Sequence, residues 1–458
     1  MSVRRLLALA AAAALVAAAL ASARCRGRPE GPNILLVTIE TFRADHLGRK
    51  VGGVALTPNL DRLAARGTSF ERAYAAASFT LPSLHTIATG EPPAVHGARF
   101  WTKFANLYRE PTVAERMKDA GCTTGFVYSA YEELKRYWPV MARGWTEPPE
   151  QFYREDAPRV VAAAKAWLDR HGKEPFFLWV HLFEPHTPYG PGETFVEGLS
   201  KLDRYRSAGP AEFPVQDWID KRPGAGADLA DLLYAADIRA ADAAVQQLLD
   251  ALEERGLSGS TVVCVSSDHG ENLAADPAPR WDHGVSADEQ LLRVPLIFAG
   301  PGIPQGATRA DIARHLDLAP TLLAKAHVGV PPQWAGRDLF GGAPAPSFAI
   351  GECTVDEDRD APMYSVTDGS TSLRIWTHPA PWRVELRDET NRGAPAVGVN
   401  LGDPSPAAKP LVDAWKEADA FARRRAPDVN APGDPGAGLT PDQIELSKMP
   451  PYVGSRKR

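Results

Sequence analysis

Residues 33–48 read Asn-Ile-Leu-Leu-Val-Thr-Ile-Glu-Thr-Phe-Arg-Ala-Asp-His-Leu-Gly. An apolar run with strand character stops at a carboxylate, Glu40, and a turn rich in polar groups follows. The pattern returns far down the chain. Val262, Val263, Cys264 and Val265 lead into Ser266-Ser267-Asp268-His269-Gly270-Glu271. Two apolar strands therefore deliver Glu40, Asp268 and His269 to their carboxyl ends, where open α/β sheets place their sites. Two carboxylates and an imidazole are a donor set for one divalent metal. Between the two strands lies Phe79-Thr80-Leu81-Pro82-Ser83-Leu84-His85, a hydroxyl at the mouth of a helix. Metal ligands beside a hydroxyl point to a metal-activated nucleophile.

Working outward, apolar runs at 33–38, 125–128, 176–182, 261–267 and 294–299 read as strands. They alternate with helical patterns at 59–65, 113–120, 156–170 and 229–255, the last closed by Gly256. Alternation of this kind predicts a mainly parallel sheet with helices on both faces. A breaker-rich stretch, Thr187 to Gly192, follows the third strand and is placed for an active-site loop. After Phe340 the texture changes: a Gly/Pro linker, short strands at 372–376 and 383–387, a helix at 409–421, then a Pro/Gly-rich tail.

These segments, taken in order, resemble the sulfatase family within the alkaline phosphatase superfamily. Residues 38–48 match its first motif apart from conservative changes. Thr57-Pro58-Asn59-Leu60-Asp61-Arg62-Leu63-Ala64, Thr80-Leu81-Pro82-Ser83 with Thr89-Gly90, and Ser267-Asp268-His269-Gly270-Glu271 continue the series. So do His283-Gly284, 292–297 and 316–321. The resemblance implies an alkaline-phosphatase-like α/β fold with a smaller C-terminal α+β part. The expected organisation is a catalytic domain at 33–340, a subdomain at 341–425, and a linker and tail at 426–458.

The resemblance also implies roles. Glu40, Asp268 and His269 would hold one divalent ion with Thr80 beside it; alone, Glu40 would pass for a solvated strand-end carboxylate. The family usually carries aspartate at Glu40 and, where it binds calcium, often asparagine at His269. Zinc, manganese and calcium all stay open. Sulfatases proper make formylglycine from Cys or Ser in a Cys/Ser-x-Pro-x-Arg motif. Here Thr80 stands at the first position and Leu84 at the last, so no formylglycine is expected. Threonine nucleophiles belong to the phosphodiesterase, phosphatase and phosphoethanolamine-transferase-like relatives. The structural alternative for Thr80 is a helix N-cap before Pro82. His186 matches the family histidine that touches the transferred anion or leaving group. His283 stands where the family places a cationic substrate contact. His181 reads as packed within its strand. His85, about 100° round the helix from Leu84, is expected to point away from the site.

The chemistry expected is hydrolysis of sulfate or phosphate esters, with phosphoester chemistry favoured. The alternatives are a phosphoethanolamine-type transferase and, from a different class, a non-catalytic relative binding an anionic glycan or lipid headgroup. The substrate would be a small-molecule, glycan or lipid ester. Among 458 residues the formal net charge is -6, which gives no support for nucleic acid binding. At the N-terminus, Arg4 and Arg5 precede an apolar run from Leu6 to Leu20 and a small-x-small site, Ala21-Ser22-Ala23. This is the order of a secretory signal peptide, so 1–23 is expected to be removed, with a linker at 24–32 and a periplasmic or secreted product. Arg24 before Cys25 disfavours a lipoprotein; lipidation of Cys25 and an uncleaved N-terminal segment are the two routes by which the protein would be membrane-anchored. Four cysteines without close spacing suggest neither a zinc site nor a disulfide framework.

Overall fold

The computed structural model describes residues 30–425, apart from 99–107, 109, 131–139, 154–156, 191, 200–205, 208, 210–214, 222–225, 274–282, 285, 355–361, 378–381 and 392–393. The expected signal peptide, Cys25 and the tail from 426 lie outside the described residues. In chain order the main elements are β1 (Asn33–Ile39), α1 (Pro58–Ala65), β2 (Gly67–Tyr74), α2 (Thr80–Thr89), α3 (Val113–Asp119), β3 (Thr123–Ala130), β4 (Glu150–Tyr153), α4 (Ala157–His171), β5 (Phe176–Leu182), α5 (Gly226–Glu254), β6 (Thr261–Ser267), β7 (Arg293–Val294), β8 (Leu296–Ala299), β9 (Ala307–Arg314) and α6 (Leu318–Lys325).

They form a nine-stranded sheet in the order β9-β2-β8-β6-β1-β5-β3-β4, with β7 paired to β2. The centre is parallel: β1 lies between β5 and β6 in matching direction, and β3 joins β5 and β4 the same way. Here the strands are buried on both faces, which is why they read as unbroken apolar runs. Leu35, Val37, Leu178, Val180, Val263 and Val265 pack to the side of α4 and α5. Ile34, Leu36, Phe177, Trp179, Val262 and Cys264 pack to the side of α2, α3 and α6.

The sheet is mainly parallel, as expected, with antiparallel pairs added on one flank. β8 runs antiparallel to both β6 and β2, so the sheet is mixed. The apolar run expected as one strand at 294–299 is two short strands separated at Pro295, which has no N–H for a ladder bond. β2 and β9 are not apparent as strands in the sequence, because each carries arginines and exposed positions along its length.

A second sheet follows: β10 (Ala349–Thr354), β11 (Pro362–Thr367), β12 (Thr371–Trp376), β13 (Arg383–Asp388) and β14 (Val397–Gly398), antiparallel throughout. Helix α7 (Lys409–Arg425) packs on it through Leu411, Val412 and Trp415. The sheet meets the large body where Ala77 bridges Glu352, just upstream of α2. No described helix is long and apolar enough to cross a membrane.

Candidate active site

Register sets the site. Ile39 lies opposite Leu182 on β5 and Ser267 on β6, so the next residues, Glu40 and Asp268, emerge side by side at the carboxyl edge of three adjacent parallel strands. His181 sits one position before the end of β5, opposite Thr38. Thr80 is the first residue of α2 and follows Phe79, the N-cap, whose side chain makes no capping bond. Thr80 is therefore not the cap that the sequence allowed. Its hydroxyl turns into the site and donates to Glu40 Oε1. The amides of Thr80 and Leu81 open the helix with no carbonyl one turn back, a setting that favours an incoming anion.

Glu40 is held on its other oxygen as well. His181 Nε2 donates to Glu40 Oε2 at 2.6 Å, and His181 Nδ1 lies 2.8 Å from Thr38 Oγ1. That hydroxyl in turn accepts from the Trp179 indole at 2.9 Å. Burial alone would raise the Glu40 carboxyl, but the charge and hydrogen bond of His181 outweigh it and hold the group down at about 2. His181 is correspondingly raised: burial opposes its charge, and the bond to Glu40 overcomes that penalty.

Asp268 is divided between two tasks. Its Oδ1 accepts from the amides of Thr41 at 2.9 Å and His269 at 2.7 Å. Thr41 reaches it from a left-handed backbone, φ +50°, which a β-branched residue adopts only when its surroundings hold it there. Asp268 Oδ2 is buried and has no hydrogen-bond partner. It stands 3.3 Å from His269 Nε2. His269 donates its Nδ1 proton to the Gly270 carbonyl at 2.8 Å. Burial and the neighbouring His283 keep the ring well below the usual histidine range, so Nε2 bears a lone pair. Two lone pairs thus face each other in a buried site, an arrangement that calls for a proton or a metal ion between them. Burial and the nearby charge of Glu40 push the Asp268 carboxyl upward, the same electrostatic deficit seen from the acid's side. Thr80 Oγ1 is 3.3 Å from that Nε2. Glu40, His181 and Asp268 offer ligand atoms all within 4.8 Å of one another. The residues present therefore fit a single divalent metal.

A second ring of groups closes the site. His283 Nδ1 donates to Glu271 Oε2 at 3.0 Å, and its ring lies 4.7 Å from that of His269 and 5.0 Å from that of His186. His186 donates Nδ1 to the Thr187 carbonyl at 2.7 Å. Burial, then the neighbouring His283, lower its imidazole to about 4. Arg43 links this ring to the first motif, donating to the Glu271 carbonyl at 3.1 Å and pairing with Asp45.

The sequence model described as Sulfatase matches residues 32–328. The chain belongs to the sulfatase family. Curated relatives include an ulvan-active sulfatase from Formosa agariphila, 26% identical over 68% of this chain and 65% of its own length. The chain thus spans just under two thirds of that relative. Another is the Haloferax volcanii protein Agl7, named as a low-salt glycan biosynthesis sulfotransferase, 26% identical over 76% of both chains. Among solved structures, one bound to its substrate D-glucosamine-2-N,6-O-disulfate aligns with TM-score 0.65 at 18% identity, covering 88% of this chain and 100% of the other. A phosphonate monoester hydrolase from Silicibacter pomeroyi gives 0.63 at 19%, covering 87% and 97%. At these identities the structures speak for the fold.

The structure gathers Glu40, Thr80, Asp268, His269, His186 and His283 into one region. It also brings in a residue that sequence reasoning set aside. His181 is not merely packed in its strand; it binds Glu40 and belongs to the metal cluster. A signal was available in the strands themselves. Thr38 and His181 are each a polar side chain one position before the end of an apolar run, and two such strands laid side by side bring those positions together. Leu84 is part of the apolar core beneath α2. His85 turns away from the site, its Nδ1 on the Leu81 carbonyl at 2.8 Å.

Proposed function

We propose that this protein is an exported, metal-dependent ester hydrolase in which Thr80 is the nucleophile, acting on phosphate esters in preference to sulfate esters. The observation that carries the reading is the Thr80 hydroxyl itself, turned out of the helix-cap role and set between the Glu40 carboxylate and the His269 lone pair. Glu40, Asp268 and His269 would hold the ion, joined by His181 once its Nε2 gives up the proton it now donates to Glu40; when bound, the ion lowers the pKa of a nearby hydroxyl and offsets charge on the transferred group.

The chain's own residues do the rest. Glu40 accepts the Thr80 hydrogen bond and aims the oxygen. Attack forms an Oγ–phosphorus bond and breaks the bond from phosphorus to the ester oxygen, the Thr80 proton passing to Glu40 Oε1, which already accepts it, and returning to Oγ when the phosphothreonine is cleaved. The open amides of α2 face the charge that develops on the transferred group. His283, protonated on both ring nitrogens with its Nδ1–H on the Glu271 carboxylate, is suited to give its Nε2 proton to the leaving oxygen. His186, kept neutral by burial, is suited to take a proton from the water that then cleaves the phosphothreonine. Threonine in place of a formylglycine precursor supports phosphorus over sulfur as the centre attacked.

The names of relatives support an anionic glycan as the substrate class: one is active on ulvan and another serves glycan biosynthesis. The charged start, apolar run and Ala21-Ser22-Ala23 support export, tested by mass spectrometry of the mature N-terminus. A panel of aryl sulfate, phosphate monoester, diester and phosphonate, each with zinc, manganese and calcium, tests the reaction. Turnover should be fastest on a phosphorus ester. Turnover of aryl sulfate alone would overturn the assignment.

A further inference from the structure

A cleft of about 990 Å³ lies between the large body and the C-terminal sheet and helix. It is separate from the metal cluster, and none of the active-site side chains lines it. Its walls combine aromatic faces with a polar rim: Tyr364, Trp382, Trp415 and Phe421, with Ala76 and Glu352 at its inner end. Trp382 and Trp415 meet edge to face at 5.8 Å, and Tyr364 lies 6.2 Å from Trp415. Trp382 is 44% exposed, a large apolar surface left open beside charged groups, which is the character of a binding groove.

We infer that this cleft holds an uncharged stretch of a saccharide chain, an inference that rests on the glycan-ester reading above. Three features select that occupant. Aromatic faces with polar neighbours suit sugar rings, which offer C–H faces for stacking and hydroxyls for hydrogen bonds. The cations that line it are already used: Arg423 pairs with Asp419 at 2.7 Å and Arg314 with Asp317 at 2.8 Å, and the lining Asp413 takes up Lys409 at 2.5 Å. Among the described lining residues no unpaired cation is left to select an anionic partner. The inner end of the cleft also lies on the segment that leads into α2. Ala76 lines it, Glu352 donates its amide to the Ala76 carbonyl at 2.9 Å and accepts from the Ser78 amide, and the four steps from Ala76 to Thr80 can span at most about 14 Å. A saccharide held there is therefore close to the catalytic segment.

The test is retention of the full-length protein on an array of immobilised hexasaccharides, neutral and sulfated. Wild type should be held by at least one neutral hexasaccharide, with little dependence on salt. Trp382→Ala should weaken that retention at least about tenfold, the loss of one ring contact, while Trp382→Phe keeps part of it. Turnover of a small aryl ester should be unchanged in both variants. Absence of retention in wild type, equal retention by Trp382→Ala, or a Trp382-dependent dimer in sedimentation would each overturn the inference. Retention without ester turnover in wild type would instead sink the hydrolase reading and leave the saccharide site standing.

Discussion

Replacing Thr80 by alanine separates chemistry from folding. The hydroxyl donates to Glu40 Oε1 inside a buried site, so its loss leaves a carboxylate oxygen short of a donor, at about 1–3 kcal/mol. Removing the buried methyl adds about 1 kcal/mol, and alanine's better helix propensity returns a few tenths. The sum is about 2–4 kcal/mol, a fall of several degrees in melting temperature that leaves a large domain folded. Turnover, in contrast, should drop by about 10⁴ or more, as when a nucleophile that works as part of a unit is removed. Thr80→Ser keeps the oxygen and should retain measurable activity with a smaller stability loss. The assays are steady-state hydrolysis of the best ester in the panel, a thermal melt of each variant, and mass spectrometry of wild type quenched during turnover of a slow substrate. Phosphate on Thr80 is the expected adduct. An alanine variant within tenfold of wild type would refute the argument, as would a serine variant as inactive as the alanine one.

Other consequences are as direct. His181→Phe removes the donor from Glu40 Oε2 and should cost about 3–5 kcal/mol, the penalty for stranding one member of a buried ion pair; a loss below about 1 kcal/mol in a denaturant titration would show that the bond contributes little. Metal added at about a hundred times its dissociation constant should stabilise the chelated protein by about 2.7 kcal/mol, and Asp268→Asn should abolish the shift. The lowered Glu40 carboxyl gives a definite pH sign. Its contribution is present above the ordinary value of 4.5 and is lost as pH falls toward about 2, so metal-free protein should show an acid-side loss of stability that Glu40→Gln removes.

Strands with two buried faces were legible because nearly every residue along them is apolar, and Glu40, Asp268 and His269 stood out as the points where that rule broke. The C-terminal ends of two helices followed from Gly121 and Gly256. β2 and β9 were not legible, since Arg72, Arg309 and Arg314 interrupt any apolar rhythm; these strands owe their place to partners far away in sequence. His181 was hidden for the opposite reason. Inside an apolar strand its imidazole looks like filler, and only the register that sets β5 beside β1 shows which carboxylate it meets. The tautomers of His269 and His283 depend on the Gly270 carbonyl and the Glu271 carboxylate, and local sequence does not encode ring orientation.

The left-handed turn at Thr41 has a consequence for engineering. Its amide secures Asp268 Oδ1 and its carbonyl accepts from the Tyr234 hydroxyl at 2.7 Å, while its own hydroxyl is buried without a partner. Glycine would adopt the same backbone at no steric cost and would also remove that orphan, though it gives the unfolded chain more freedom to lose. Relief of strain, about 1–3 kcal/mol, is set against that loss of about 0.5–1 kcal/mol and about 1 kcal/mol for the buried methyl removed. A Thr41→Gly chain should therefore melt close to wild type yet let the Asp268 carboxylate wander, so a stability screen alone would pass a change that blunts the rigidity of the site.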